Sequence, residues 1–248
     1  MLSIVVASAS LFAPTLRTQD GQRVTLHGSG PPVLFSSGLF GTMPRRLYTS
    51  LFSQLTKDVT LVVPEDVAPV TAGTVDAVAD ALAVDKIALL SHSSLDSNIL
   101  DSPRIKAAVL CDPVVLPNLD WMQGGFVPPT SSPPYPVRVL RAELAYAEET
   151  PGIPDMISPS FDVDVSVRTF TGVGHADILD DTWAKLGSDV IPWMKGAVPP
   201  PAPFATWSMD ARSKTSQLRK QYRAEVAADV LTHLLDRDHL SLVTVEVV

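Results

Sequence analysis

An apolar run that ends in a serine-rich turn is the feature that most constrains the fold of this chain. Residues 87–90 are all apolar, and residues 91–94 read Ser-His-Ser-Ser. A short apolar run bounded by turn residues is typical of a strand buried in a parallel sheet. The pattern therefore predicts that Ser93 lies on a sharp strand-to-helix turn, as a nucleophilic serine would. The competing interpretation is a plain helix start, where a serine caps free backbone N–H groups.

Two further apolar runs end in residues that could assist a serine. The run at 105–112 ends in Asp112, and the segment at 165–175 ends in His175. Because parallel strands place their carboxyl ends at one edge of a sheet, these side chains are expected to meet Ser93 there. A histidine can take the serine proton while a buried carboxylate holds the imidazole in the right tautomer. The sequence therefore predicts a Ser-Asp-His triad in that chain order.

The remaining sequence alternates predicted strands and helices. Strands are predicted at 23–26, 33–36, 60–63, 87–90, 107–110, 137–140 and 165–170. Helices are predicted at 48–55, 74–83, 182–194 and 218–235. This alternation indicates an α/β fold with a mostly parallel central sheet and helices on both faces. At 248 residues, the chain is expected to form a single domain over 1–248.

Three motifs resemble those of chlorophyllases, the α/β-hydrolases that cleave phytol from chlorophyll. Residues 174–181 (Gly-His-Ala-Asp-Ile-Leu-Asp-Asp) are similar to the family's G-H-x-D-x-L-D-D segment. Residues 111–114 (Cys-Asp-Pro-Val) are similar to its I-D-P-V segment, which carries the catalytic acid. Residues 32–40 and Tyr48 resemble its first core strand and oxyanion loop. The similarity runs in order from residue 24 to the end of the chain and implies the α/β-hydrolase fold.

The resemblance also implies an activity and a set of site residues. It implies a carboxylic ester hydrolase that acts on chlorophyll or a related lipophilic ester, with Ser93 as nucleophile, His175 as base and Asp112 as the orienting acid. The oxyanion is then expected to be bound by backbone N–H groups of Ser94 and of Leu39 or Phe40. No cofactor is expected.

Several alternatives remain open at this point. Glu143 is a rival acid, because it follows the predicted strand at 137–140. Chlorophyllases read G-H-S-R-G-G where residues 91–96 read Ser-His-Ser-Ser-Leu-Asp, and the helix after this turn is expected to be short. The chain could therefore be an inactive chlorophyllase-like subunit in a pigment–protein assembly, with photosynthetic membrane proteins as partners. An esterase for another lipid or small ester is the third interpretation.

The sequence also supports predictions for two aromatic residues and for two segments. Trp121 and Phe126 are candidate substrate-binding residues in an apolar loop, which could equally be pinned on the core. Residues 196–217 are predicted to form a proline-rich loop. Residues 1–22 are predicted to be an N-terminal extension or an edge strand. Residues 7–14 resemble a plastid-targeting junction of algae, which implies a chloroplast protein that is soluble or peripheral to the thylakoid membrane.

Composition excludes several other classes of protein. The net charge of −8 and the pI of about 5.0 argue against nucleic-acid binding, which requires a basic surface. The five histidines and the single cysteine lack the spacing of a metal site. His92 is predicted to pack at the turn rather than act as a second base. No segment is long and apolar enough to be a transmembrane span.

Overall fold

A computed structural model describes the chain at residues 14–18, 21–38, 43–65, 70–116, 135–143, 165–183 and 215–235, with backbone only at 94–98 and 114–116. Its strands are β1 (Thr15–Arg17), β2 (Arg23–His27), β3 (Pro32–Ser36), β4 (Thr60–Pro64), β5 (Ile87–Asp96), β6 (Ile105–Leu116), β7 (Val137–Ala142) and β8 (Val165–Phe170). Its helices are α1 (Thr49–Leu55), α2 (Ala72–Ala81), α3 (Ser97–Leu100) and α4 (Ser216–Leu235). Two 3₁₀ turns lie at Arg45–Tyr48 and His175–Ile178.

The strands form one eight-stranded sheet in the order β1-β2-β4-β3-β5-β6-β7-β8. β2 pairs antiparallel with both β1 and β4, and every other neighbouring pair is parallel. The exchange of β3 and β4 in this order places β3 beside β5 at the centre of the sheet. The expected mostly parallel sheet is confirmed, and its central strands end next to one another at a single edge.

Helices cover both faces of the sheet, as the alternation predicts. Successive side chains of a strand point to opposite faces. Val33 and Phe35 of β3 therefore pack in the core beneath α1 and α4, while Leu34 between them packs in the core beneath α2 and α3. Both cores are built from apolar residues that are almost fully buried, with most of the aromatic ones in the core beneath α1 and α4. Burial on both faces explains why the central strands are continuous apolar runs rather than alternating ones.

Most element boundaries agree with the sequence prediction, and the differences have local causes. β8 has the predicted bounds. α2 begins two residues earlier than expected because Thr71 caps it, accepting a hydrogen bond from the backbone N–H of Thr74 at 3.3 Å. α4 begins at Ser216 rather than 218, with the Thr215 hydroxyl accepting from the N–H of Leu218 at 3.2 Å. The predicted loop at 196–217 was therefore wrong in its last two residues.

The N-terminal prediction is resolved only in part. Within 1–22, β1 (Thr15–Arg17) forms an edge strand of the sheet and pairs with β2. Residues 1–13, 19 and 20 of this predicted segment lie outside the described residues. Of the predicted helix at 182–194, only residues 182 and 183 are described. Both are helical, as is residue 181.

Candidate active site

Ser93 lies in a bulge between two neighbouring parallel strands. His92 pairs with Cys111 and Ser94 pairs with Val114, so the register between β5 and β6 shifts at Ser93. Ser93 has a backbone φ of 63° and Asp112, directly across the bulge, has a φ of 44°. Non-glycine residues seldom adopt this left-handed conformation, and where they do they often mark functional sites. The two predicted residues are thus held side by side in strained backbone.

The predicted strand-to-helix turn at Ser93 was wrong in its geometry. β5 continues past the serine to Asp96, and β6 continues past Asp112 to Leu116, each several residues further than predicted. The two extensions pair with each other, and this pairing keeps the chain extended beyond the bulge. The expectation of a short following helix is confirmed, because α3 has only four residues.

Asp112 lies next to His175 and is fully buried. Its Oδ2 is 3.6 Å from Nδ1 of His175, while its Oδ1 accepts a hydrogen bond from the backbone N–H of Ala142 at 2.5 Å. The rival acid Glu143 points elsewhere, because its carboxylate accepts a hydrogen bond from the backbone N–H of Gly172 at an exposed position. Asp112 rather than Glu143 is therefore the carboxylate that the fold places beside the imidazole.

Ser93 and His175 lie at the same edge of the sheet. The imidazole of His92, the residue before Ser93, stacks on the imidazole of His175 with ring centroids 4.5 Å apart. His92, Ser93 and His175 are all buried, with 1%, 6% and 3% of their surface exposed. The structure thus places Ser93, Asp112 and His175 at the carboxyl ends of the parallel strands, with Asp112 in contact with His175 and Ser93 next to the residue that stacks on it.

Burial sets the electrostatics of this site. It raises the pKa of Asp112 to about 6, although the hydrogen bond from Ala142 works in the opposite direction. Burial lowers the pKa of His175 to about 3. The pKa of His92 is also lowered to about 3, first by burial and then by the neighbouring His175. At neutral pH both imidazoles are therefore uncharged, and His175 can accept a proton while Asp112 carries a negative charge.

Gly38 allows the end of β3 to approach the serine closely. A side chain at this position would place its Cβ 2.5 Å from the sulfur of Met43 and 3.4 Å from Cβ of Ser93. Only glycine leaves room for that contact without moving its neighbours. The backbone N–H of Gly38 donates to the Tyr48 hydroxyl at 3.0 Å, so this N–H group is already engaged and does not face an oxyanion.

Acidic side chains of the segment that follows His175 hold this segment in place through hydrogen bonds. Asp177 accepts a hydrogen bond from the backbone N–H of Gly174 at 2.8 Å and so closes the turn around the histidine. Asp180 accepts from the N–H groups of Thr49 and Ser50 at 3.1 and 2.8 Å, and thereby caps the start of α1. The first two acidic residues of the chlorophyllase-like motif thus serve to position the histidine-bearing turn.

Asp181 ties the same segment to α4. Its carboxylate binds Arg223 at 2.9 Å and Arg219 at 3.1 Å, and it accepts from the Ser216 hydroxyl at 2.6 Å. Partial burial raises the pKa of Asp181, but the hydrogen bonds from Arg219, Ser216 and Arg223 together outweigh it and hold this pKa far below its usual range. Arg223 is itself buried and also donates to the backbone carbonyls of Asp177 and Leu179. The histidine turn is therefore clamped between α1 and α4.

Four predicted site residues lie outside the described residues. They are Leu39 and Phe40 of the expected oxyanion loop, and Trp121 and Phe126 of the expected substrate loop. Ser94, the other expected oxyanion residue, is described in its backbone only and pairs with Val114 of β6. The roles of these five residues stay predictions.

Tyr48 and Arg223 are functional candidates that the sequence did not single out for a role. Tyr48 was matched only as part of the family resemblance, yet its hydroxyl lies 2.8 Å from Nδ1 of His92. Arg223 lies in a helix where an arginine is expected to be exposed, but 3% of its surface is accessible. Each contact joins elements more than forty positions apart in the chain, so no local spacing could have indicated it.

The described residues offer neither a metal-binding cluster nor a membrane-spanning helix. Among them no group of three or more histidine, cysteine, aspartate or glutamate side chains is arranged to hold a metal ion. Of the helices in the described part of the chain, none is long and apolar enough to cross a membrane.

The sheet order and the helices on both faces define the α/β-hydrolase fold, and solved structures share it. The chain is similar to a membrane phospholipase A described as a bacterial virulence factor, with a TM-score of 0.52 and 12% identity over 71% of this chain and 84% of that one. It is similar to an α/β-hydrolase enzyme from the metagenome of lagoon sediments at Mar Chica, Morocco, with a TM-score of 0.51 and 12% identity over 74% and 98% of the chains. No protein-family model matches the sequence. No curated protein matches it either.

Proposed function

We propose that this chain is a serine carboxylic ester hydrolase. The observation that carries the proposal is the Asp112 carboxylate beside Nδ1 of His175, at the sheet edge where Ser93 is held in left-handed backbone. A strained serine next to a buried acid–imidazole pair is the arrangement that acyl transfer requires. Packing alone does not explain why Ser93 and Asp112 lie in left-handed backbone beside the stacked imidazoles of His92 and His175.

In the proposed reaction, Ser93 Oγ attacks the ester carbonyl and its proton passes to His175. Because Nδ1 of His175 faces Asp112, Nε2 is the nitrogen that serves the serine. The bond from carbonyl carbon to the alcohol oxygen then breaks, and His175 returns the proton to the departing alcohol. Water, activated by His175, releases the acid from Ser93. Backbone N–H groups of Ser94 and of Leu39 or Phe40 would stabilise the oxyanion.

The proposed substrate is a lipophilic ester of the chlorophyll class. The support is the resemblance of residues 174–181 and 111–114 to chlorophyllase segments, together with the apolar residues Trp121 and Phe126 after the acid. The same resemblance supports a chloroplast location, soluble or peripheral to the thylakoid membrane. Fold alone does not select a substrate, so the assay must include a second, unrelated ester.

The test compares serine and carboxylate variants on two substrates. Purified protein is incubated with chlorophyll and with a short-chain nitrophenyl ester. Ser93→Ala should lower turnover by about 10³-fold or more, because only the oxyanion hole and binding remain. Asp112→Asn should lower kcat by about 10²- to 10⁴-fold. Glu143→Gln is the matched control, and it should leave kcat within about twofold of the wild-type value.

The outcomes separate the candidate functions. Serine-dependent release of chlorophyllide identifies a chlorophyllase, and serine-dependent cleavage of the short ester alone identifies another esterase. Pigment or partner binding without serine-dependent turnover of either ester would leave the inactive subunit of a pigment–protein assembly. An equal loss in Asp112→Asn and Glu143→Gln would show that Asp112 has no special role.

A further inference from the structure

Tyr48 connects the end of β3 to the residue that precedes the serine. Its ring is fully buried and packs edge-on against Phe35, with ring centroids 4.9 Å apart. Its hydroxyl accepts a hydrogen bond from the backbone N–H of Gly38 and lies 2.8 Å from Nδ1 of His92. One hydroxyl group therefore joins two segments that flank Ser93.

The hydrogen-bond partners of His92 define which nitrogen carries its proton. Nε2 of His92 faces the backbone carbonyl of His175 at 3.3 Å, and a carbonyl oxygen can only accept. This carbonyl favours a proton on Nε2 of the uncharged ring, and in that form Nδ1 is an acceptor for the Tyr48 hydroxyl. That hydroxyl accepts from Gly38 and has two acceptors in reach, Nδ1 of His92 at 2.8 Å and the sulfur of Met43 at 3.8 Å; the imidazole nitrogen is the nearer and stronger acceptor, so the hydroxyl donates to His92.

His92 in turn fixes His175 in two ways. It donates to the backbone carbonyl of His175, and its ring stacks on the His175 ring at 4.5 Å with an angle of 22° between the planes. A continuous chain of contacts thus runs from Gly38 through Tyr48 and His92 to His175. The side chains facing this chain are those of Asp112, Cys111 and Met43.

We propose that Tyr48, acting through His92, is a positioning residue for His175 and holds His92 in its uncharged Nε2–H form. This inference rests on the proposed ester hydrolase activity, in which His175 becomes positively charged during the transfer of the serine proton. A second positive charge on a ring stacked at 4.5 Å would oppose that transfer. A donor directed at Nδ1 prevents it, because the site that would be protonated is already occupied by a hydrogen bond.

The test removes one hydroxyl from each of two buried tyrosines. Tyr48→Phe deletes the contact to His92, and Tyr135→Phe deletes a hydrogen bond of 2.7 Å to the carbonyl of Leu100 in the core on the other face of the sheet. Both variants lose one buried hydroxyl group and retain the aromatic ring, and Tyr48→Phe also removes the acceptor of the Gly38 N–H. On the short nitrophenyl ester, Tyr48→Phe should lower kcat by about 10- to 100-fold, which is the cost of a slightly misplaced base. KM should stay within about threefold, and Tyr135→Phe should change neither constant by more than about twofold.

A second measurement does not depend on turnover. Nitrogen-15 NMR of the imidazole rings reports the tautomer of each histidine. In the wild-type protein His92 should give the signals of a ring protonated on Nε2, and this pattern should persist in Tyr135→Phe. In Tyr48→Phe the His92 signals should move toward a mixture of tautomers, and the His175 signals should shift with them.

The two measurements distinguish failure of this inference from failure of the proposed function. An active wild-type protein in which Tyr48→Phe and Tyr135→Phe behave alike would overturn the inference alone. An inactive wild-type protein with His signals that respond only to Tyr48→Phe would overturn the proposed function and leave the positioning contact standing. Inactivity combined with unchanged His signals in Tyr48→Phe would overturn both.

Discussion

Ser93 and Asp112 are held by the sheet itself, whereas His175 is held by side chains that reach its turn from two helices. The first pair sits in a bulge between β5 and β6, with backbone on either side fixed by strand pairing. The His175 turn depends on the Asp180 cap of α1 and on the Asp181–Arg223 pair to α4. The first half of the site stores strain in its backbone, while the second depends on a few charged contacts. Single substitutions should therefore affect the two halves in opposite ways.

The largest effect is expected where the charged contacts are broken. Arg223→Met should lower the free energy of unfolding by about 2–4 kcal/mol, because it removes the buried donor of the Asp177 and Leu179 carbonyls, although Asp181 retains Arg219. Arg138→Met is the matched control, since the Arg138 side chain is more exposed than that of Arg223, 22% against 3%, and Asp229 retains Arg168. Arg138→Met should lower the free energy of unfolding by about 1 kcal/mol or less. Urea unfolding measures both, and equal losses would contradict the idea that α4 clamps the histidine turn.

The second effect is a dependence of the free energy of unfolding on pH, because the Asp112 carboxyl and the two imidazoles respond to acid with opposite signs. His92 and His175 take up protons near pH 6.5 only when unfolded, since their folded pKa values are about 3. They therefore lower stability as the pH falls below 6.5. Asp112 has a folded pKa of about 6 against 3.8 when unfolded, so it raises stability as the pH falls from 6 to 4. With two groups against one, this site should lose stability on acidification.

Asp112→Asn removes the opposing contribution and should make the acid-induced loss steeper. Between pH 6 and 4 the variant should lose about 1.4 kcal/mol more per pH unit than the wild-type protein. Urea unfolding at several pH values measures the difference, with Glu143→Gln as a carboxylate-to-amide control at an exposed position. Parallel curves for wild type and Asp112→Asn would mean that Asp112 does not take up a proton in this range.

The smallest effect should come from relieving strain at the serine. Ser93→Gly should raise the free energy of unfolding by up to about 1 kcal/mol, because glycine adopts a φ near 63° without steric cost. It should also abolish ester turnover, whereas Ala83→Gly should relieve a similar φ of 54° after α2 with activity unchanged. Thermal unfolding and the nitrophenyl ester assay give both values. A destabilised Ser93→Gly protein would show that the bulge is not strained.

Sequence patterns predicted the parts of the molecule that depend on local composition. The buried strands at 33–36 and 87–90 were recognisable because continuous apolar runs report burial on both faces. Placing Ser93 and Asp112 after such runs was enough to bring them to one edge. Their left-handed backbone was not predictable, because it arises from pairing between the extensions of β5 and β6, whose sequences resemble a turn.

The contacts that fix His175 could not be predicted for a different reason. The resemblance drew attention to Asp177, Asp180 and Asp181 but did not indicate what each one binds. Their partners are backbone groups of α1 and arginines of α4, at sequence separations that carry no periodic signal. Tyr48 illustrates the same limit, since a tyrosine before a helix is ordinarily explained by packing alone.

The Asp181 cluster also determines how freely one stretch of the chain can change in evolution. Asp181 and Ser216 are joined by a hydrogen bond of 2.6 Å, so the chain leaves this cluster after residue 181 and returns to it at residue 216. This hydrogen bond fixes both ends of the intervening segment at one point. The entropic cost of closing a chain between fixed ends rises only slowly with its length, by about 0.6 kcal/mol for each doubling. We therefore expect changes in the length of this segment to leave the position of His175 preserved.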